Sequence, residues 1–335
     1  MKFFLSVLFA VVTMLFGGCA SNTSQPRWYA GDDAKYNKAN YLLGRGQAAT
    51  AEEAKNRARA DIAQIFQVAI VVDSEDVQKY RNSPSGKGGG QFSLDSTRRI
   101  TTRTEQIIRG IQIAETWKDP VSKEIYALAI LPRSQAEESL RQQIKQLDDA
   151  VQSNIDLAKN NADVLLRIAA ANKAVTAQLD REGLQRALQV VDITGRGIES
   201  RYNGVKLKLD LEELLAQVRI AAKILDGSAP GLEEVVTGAL AHAGFTIDSV
   251  APVFLLKASL KLTDLGIIEG WYWQRGNLEI SVSEASTGRV RGAQRWPVKS
   301  SGRDRATAIR RSLDEVNEVM RKELGATIMG MAGGQ

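Results

Sequence analysis

Between Ser134 and about Val191 the sequence carries a hydrophobic repeat that only long helical elements satisfy, and it divides the chain into an amino-terminal and a carboxy-terminal part. Leu140, Ile144, Leu147, Val151, Ile155, Ala158, Ala162, Leu165 and Ala169 recur at steps of three and four residues, close to a 3.5-residue period, with charged residues between them. Asn160-Asn161 offers a break, so a helical hairpin over residues 134–197, ended by Gly195 and Gly197, is favoured over one continuous helix. Either arrangement spaces two folded regions, which suits a chain of 335 residues at about 150 residues per domain.

Upstream of the repeat, Tyr41-Leu42-Leu43 runs into Gly44-Arg45-Gly46, and Thr50 precedes Glu53 at capping-box spacing. A strand followed by a helix is expected, the helix burying Ala51, Ala54, Ala58, Ile62, Ile65 and Phe66. Strands are then predicted at Val68 to Asp73, Phe92 to Thr104, Ile107 to Trp117 and Ile125 to Leu131, with Asn82 to Gly90 as a mobile hairpin tip whose flanks form an arm. Downstream, Val205 to Leu211 and Val218 to Leu225 read as strands or as a strand plus a short helix. A helix over Gly231 to Ala243, strands over Phe245 to Val250, Val253 to Leu262, Gly270 to Ser283 and Val290 to Val298, and a closing helix over Asp304 to Leu324 complete the pattern. The expected class is α+β: two small α/β sandwich modules, at 39–133 and 203–326, with mixed or antiparallel sheets and packed helices, separated by the helical spacer at 134–197. Residues 19–38 are expected to be a flexible tether and 327–335 a disordered tail.

Little catalytic chemistry is available. One Cys and one His exclude a disulfide framework, a Cys/His zinc cluster and a Cys–His nucleophilic dyad that draws on further copies of either. The 44 basic and 39 acidic residues are interspersed, so the net charge of +5 describes a solvated surface and no nucleic-acid partner is expected. Gly44-x-Gly46-x-x-Ala49 has the outline of a dinucleotide fingerprint, with Asp73 where a ribose ligand would stand. The adjoining sheet reads as antiparallel, so the two glycines are assigned to a tight turn and close helix packing. Ser85-Gly86-Lys87-Gly88 lacks the Ser/Thr of a phosphate loop, the paired carboxylates 137–138, 148–149 and 212–213 point apart on helices, and His242 has no acidic neighbour in sequence. No metal, cofactor or catalytic residue is therefore assigned. Trp271-Tyr272-Trp273 followed by Arg275 is the aromatic cluster of the chain: the two indoles share a strand face and either pack under the closing helix, the favoured reading, or form with Arg275 a partner-binding surface.

At the amino terminus Lys2 flanks an apolar run from Phe3 to Phe16, and Gly17-Gly18 precedes Cys19. Fourteen residues of helix span about 21 Å, short of the roughly 30 Å of a hydrocarbon core, which favours a cleaved export signal over residues 1–18. Leu15-Phe16-Gly17-Gly18-Cys19 resembles the lipobox of bacterial lipoproteins, which implies lipidation of Cys19; Ala20, in place of Asp, implies delivery to the outer membrane.

Leu43-Gly44-Arg45-Gly46-Gln47-Ala48, the helix Glu53-Ala54-Lys55-Asn56-Arg57-Ala58-Arg59-Ala60-Asp61-Ile62-Ala63, and the pair Ile113-Ala114-Glu115-Thr116-Trp117 and Glu124-Ile125-Tyr126-Ala127-Leu128-Ala129-Ile130-Leu131 resemble the Lpp-twenty family of envelope lipoproteins over residues 41–143. Some members are tied to flagellar outer-membrane parts, and the family offers no established catalytic residues. The stretches 240–247, 253–260 and 278–288 more loosely resemble the α/β modules of Lpo-type activators of peptidoglycan synthases, the amino-terminal domain of the Tol translocation protein and the curli secretion lipoprotein, and so imply a protein-binding module. These resemblances imply a non-enzymatic outer-membrane lipoprotein facing the periplasm, held by its lipid, whose partners are envelope proteins or peptidoglycan. The rival expectations are a subunit of an oligomeric export or flagellar-associated assembly and a cell-wall hydrolase.

Overall fold

The computed structural model describes residues 25–31, 33–71 and 110–331. They fall into two compact units, residues 25–64 with 110–133 and residues 65–71 with 134–331. The class is mixed α+β, with a three-stranded and a five-stranded sheet.

In the first unit β1 (Tyr41–Ala48), β2 (Gln112–Lys118) and β3 (Ile125–Pro132) form an antiparallel sheet in the order β1-β3-β2. Gly44 pairs with Ala129 and Gly46 with Ala127, so one sheet face is made of small residues. Helix α2 (Ala51–Val71) lies on that face through Ala54, Ala58 and Ile62, all fully buried. The approach requires glycine: a Cβ on Gly44 would stand 2.3 Å from the Ala58 carbonyl oxygen, and one on Gly46 2.1 Å from that of Ala54. Both glycines lie within β1 and not in a strand-to-helix turn, which removes the geometry a dinucleotide fingerprint needs. The expected strand from Val68 is corrected as far as Val71, because the helix, capped by Thr50 Oγ1 accepting from the Glu53 amide, continues through it. Each added residue gains a hydrogen bond once the nucleus exists, which outweighs the β propensity of a short run. The remainder of that strand, the Phe92 to Thr104 strand, the Asn82 to Gly90 tip and Cys19 lie outside the described residues.

The opposite face of the same sheet is covered by residues expected to belong to the tether. Helix α1 (Arg27–Ala30) and a 3-10 turn over Ala34–Tyr36 bring Trp28 and Tyr36, both buried, against Leu128. Residues 27–31 and 33–36 are thus folded structure, because two large aromatic side chains gain more from burial than a short polar segment loses on ordering.

In the second unit α3 (Arg133–Asn160) and α4 (Val164–Val191) are the two expected helices, interrupted just after Asn160 and restarted by the Asp163 carboxylate, which accepts from the Leu165 and Leu166 amides. The buried positions of α3 include Ala136, Leu140, Ile144, Leu147, Val151 and Ala158, the repeat seen in the sequence. Their role as a spacer is corrected. Leu165, Ile168, Ala171 and Val175 of α4 share one core with Val236, Leu256, Val316 and Met320 of the carboxy-terminal part.

Of the two readings of Val205 to Leu211 and Val218 to Leu225, a short helix plus a strand is the one observed: α5 (Gly204–Ala216) is opened by Asn203 accepting from the Lys206 amide. Its two-residue alternation of Leu with charged residues is overridden by the four-residue spacing of the buried pair Leu211 and Leu215. Then come β4 (Arg219–Ile224), α6 (Leu232–His242), the two-residue β5 (Thr246–Ile247), β6 (Phe254–Ile268), β7 (Trp271–Glu284), β8 (Val290–Gly302) and α7 (Arg305–Met331). The sheet order is β5-β4-β6-β7-β8, parallel at β5-β4-β6 and antiparallel from β6 to β8. Helix α7 buries Val316, Met320, Leu324 and Ile328, so the expected tail is helical as far as Met331.

Candidate functional site

Within the first unit the polar centre is Glu115 on β2, which faces the aromatic layer. Trp28 Nε1 donates to its Oε2 at 2.7 Å, while Lys35 Nζ at 2.6 Å and the Tyr36 hydroxyl at 2.8 Å donate to its Oε1. The Lys35 ammonium, followed by these other donors, holds the Glu115 carboxyl below the usual carboxylate range, and burial pushes the Tyr36 phenol up. A carboxylate with three donors is a fastening for the segment 27–36 and a poor proton donor. Around it Tyr29 meets Trp117 and Tyr126 edge-on, at centroid distances of 5.3 and 4.8 Å. Sequence reading missed this cluster; its signal was Trp28, Tyr29 and Tyr36 inside a stretch otherwise polar.

The second unit contains an open cleft of about 410 Å³ among α3, α4 and α5, lined by Ala158, Ala171 and Leu207 and, among its charged residues, by Lys159, Arg167 and Asp210. Among the described residues no group of three or more His, Cys, Asp or Glu side chains is arranged to hold a metal ion. His242 ends α6, half-buried.

Trp271, Trp273 and Arg275 stand together on β7, but not where core packing was expected. The even-numbered residues Gln274 to Val282 are buried, so the odd-numbered positions face the other way: Trp271 is 41% exposed, Trp273 half-buried and Arg275 exposed. Lys299 Nζ lies 4.9 Å from the Trp273 ring centroid and the Arg311 guanidinium carbon 5.9 Å from that of Trp271. The indole that fills the space under α7 is Trp296 of β8, buried and donating from Nε1 to Glu323 at 2.6 Å.

Beyond Trp271 the hairpin ends in Glu269 and Gly270, at φ of 53° and 80°, the paired positive angles of a type I′ turn. Ile268 pairs with Trp271 as the last rung. This end exposes Leu265 (43%), Ile267 (75%) and Ile268 (49%) beside Trp271. Behind it Arg275 and Lys299 are direct cross-strand partners, as are Lys223 and Lys257. Like charges placed opposite each other destabilise a sheet, so these pairs are costly unless something anionic meets them.

A mixed α+β chain with an aromatic-lined amino-terminal unit is the class this geometry defines. Residues 26–131 match the LPP20 lipoprotein family. Over this segment the chain is similar to LPP20 lipoproteins, which supports a lipoprotein of the cell envelope; the match covers the expected β1, α2, β2 and β3 stretches and starts early enough to take in Trp28 and Tyr36. Among solved structures the chain is similar to the secreted protein HP1454 from Helicobacter pylori, at 13% identity and a TM-score of 0.42, over 87% of this chain and 97% of that one. It is also similar to protein XCC0632 from Xanthomonas campestris, at 14% identity and a TM-score of 0.28 over 35% and 87% of the two chains. A minor lipoprotein from Acinetobacter baumannii is similar at 9% identity and a TM-score of 0.26, over 35% and 92%. No curated protein matches the chain.

Proposed function

We propose that this protein is a non-enzymatic lipoprotein anchored through acylated Cys19 in the outer membrane and facing the periplasm. There it binds envelope proteins or peptidoglycan and helps to assemble or regulate them. The observation that carries this reading is the LPP20 lipoprotein match over residues 26–131, joined to a lone Cys directly after an apolar run and two glycines. Trp271, Trp273 and Arg275 are its interaction residues in the second unit, since two indoles and an arginine held outside the core supply the side chains most often dominant in binding.

Photo-crosslinking in living cells tests it, with benzoylphenylalanine at Val121, which is 87% exposed, and at Trp273. The reading expects adducts with envelope components. Adducts confined to cytoplasmic proteins, or solubilisation of peptidoglycan by the purified protein, would contradict it.

A further inference from the structure

The sequence scatters its basic residues, but the five-stranded sheet gathers five of them on one face. Helices α6 and α7 pack on the face made by the even-numbered residues of β6, β7 and β8, through Val236, Leu240, Val316 and Met320. The odd-numbered residues point the other way, and there Lys257, Lys261, Arg275 and Lys299 are exposed, with the exposed Lys223 of β4 beside Lys257. The one carboxylate among these strand positions, Glu279, is taken by its cross-strand partner Arg295 at 3.3 Å. Among the described residues none of the five cations has a carboxylate partner. Like charges are set against one another twice, Lys223 opposite Lys257 and Arg275 opposite Lys299. Lys261 lies diagonally between the pairs, since its partner Asn277 is two residues from Arg275. Six residues of β6 separate the Lys257 rung from the Thr263 rung that Arg275 shares, about 20 Å at 3.4 Å per residue. Opposed like charges cost a sheet stability, so this trail is a surface that an anion completes.

We propose that this sheet face docks a carboxylate-rich, extended segment of a partner protein, laid from Lys223 and Lys257 across Lys261 to Arg275 and Lys299. Charge complementarity selects the sign of the occupant, and the geometry selects its class. Every second side chain of an extended polypeptide points the same way and recurs at about 6.8 Å, the spacing of the rungs that carry the cations. Four of the five cations are lysines, point charges suited to separate carboxylates, whereas phosphate recognition favours the paired donors of arginine. Lys299 and Arg311 already stand over the Trp273 and Trp271 rings, so a glycan finds neither indole free on that side for stacking. A bilayer fits least. Neighbouring strands turn by about 20–25°, which takes the cations out of one plane, and anionic headgroups repel the exposed Glu269 carboxylate at the hairpin apex. The inference narrows the partner of the Trp271–Arg275 surface to an acidic protein and rests on the reading that this surface is where a binding protein meets its partner.

The test uses the full acylated chain in a nonionic detergent and a fluorescein-labelled peptide with glutamate at every second position, followed by fluorescence anisotropy. The expected result is binding that weakens as salt rises and is absent when glutamine replaces each glutamate of the peptide. Lys223→Glu with Arg275→Glu turns each opposed pair into a pair of opposite charges. This double variant is expected to bind the peptide at least tenfold more weakly and to melt at a higher temperature than the parent, since the repulsion is gone. A lower melting temperature would remove the premise that the pairs repel. The charge-matched control, Lys118→Glu with Lys173→Glu at exposed lysines off this sheet, is expected to bind within about twofold of the parent. Equal losses in the two variants, or none in either, would overturn the inference. So would peptidoglycan fragments or phosphatidylglycerol vesicles that bind in preference to the peptide and lose that binding in Lys223→Glu with Arg275→Glu. Such a result assigns the face to the cell wall or to lipid and leaves the anchored-lipoprotein reading standing. Solubilisation of peptidoglycan by the same sample would count against the non-enzymatic reading itself.

Discussion

Glu115 shows how much one side chain can organise. Because Lys35, Tyr36 and Trp28 all donate to it, its pKa in the folded protein lies below the unfolded value. A depressed carboxyl contributes stability that is fully present above the unfolded pKa of about 4.3 and is lost as pH falls through the folded pKa. Glu115→Gln is therefore expected to melt at a lower temperature than the parent at pH 7, the gap closing as pH drops below about 4. Thermal melts between pH 7 and pH 3 check this, and a gap independent of pH would refute it. The indoles make a second contrast. Trp296→Ala should cost about 3–5 kcal/mol, the range for emptying a buried aromatic site. Trp271→Ala should cost less than about 1 kcal/mol, since an exposed side chain has little packing to lose. Denaturant titrations of both variants decide it, and equal losses would mean that Trp271 is packed.

The parity that separates these indoles was present in the sequence. Leu278, Ile280 and Val282 are the apolar alternation of β7, and no irregularity interrupts the strand between them and Trp271, so the odd-numbered tryptophans had to face away from the core. The tight fit of α2 on β1 was legible from Gly44 and Gly46 together with Ala54 and Ala58. Gly46→Ala should destabilise the first unit by at least about 1–3 kcal/mol, the overpacking range, because its Cβ would strike the backbone carbonyl of Ala54, which no rotamer change can move aside. Near-UV dichroism during denaturation would measure it, and a wild-type midpoint would disprove the close approach. Less legible was α5, where local alternation left strand and short helix both open and long-range burial of Leu211 and Leu215 against the rest of the unit chose the helix. Window periodicity holds no information about distant partners. The Glu115 cluster was hidden for the same reason: its four members come from two stretches about 80 residues apart.

In the second unit the apparent spacer is part of the fold. Arg181 of α4, 1% exposed, bonds Asp148 of α3 at 3.0 Å and the carbonyl oxygens of Ile198 and Glu199 at 3.0 and 3.1 Å. Arg291 of β8 reaches Asp163 at the start of α4 and Glu284 at the end of β7, at 2.5 and 3.0 Å. Buried charges held from several elements tie those elements into one cooperative body, because opening any of them strands a charge. Native-state hydrogen exchange should then show the amides of Leu165 to Leu188 protected to the same free energy as those of β7. Much faster exchange in the helix would restore the idea of an independent rod.

The role proposed for the whole molecule depends on a lipid anchor in the cell envelope, and mass spectrometry of the amino-terminal peptide from membrane-extracted protein tests it most directly. The prediction is a peptide that begins at Cys19 and carries diacylglycerol and an amide-linked acyl chain, with Cys19→Ala losing both the lipid and the membrane fraction. A peptide retaining residues 1–18, or a Cys19 with an unmodified thiol, would contradict it.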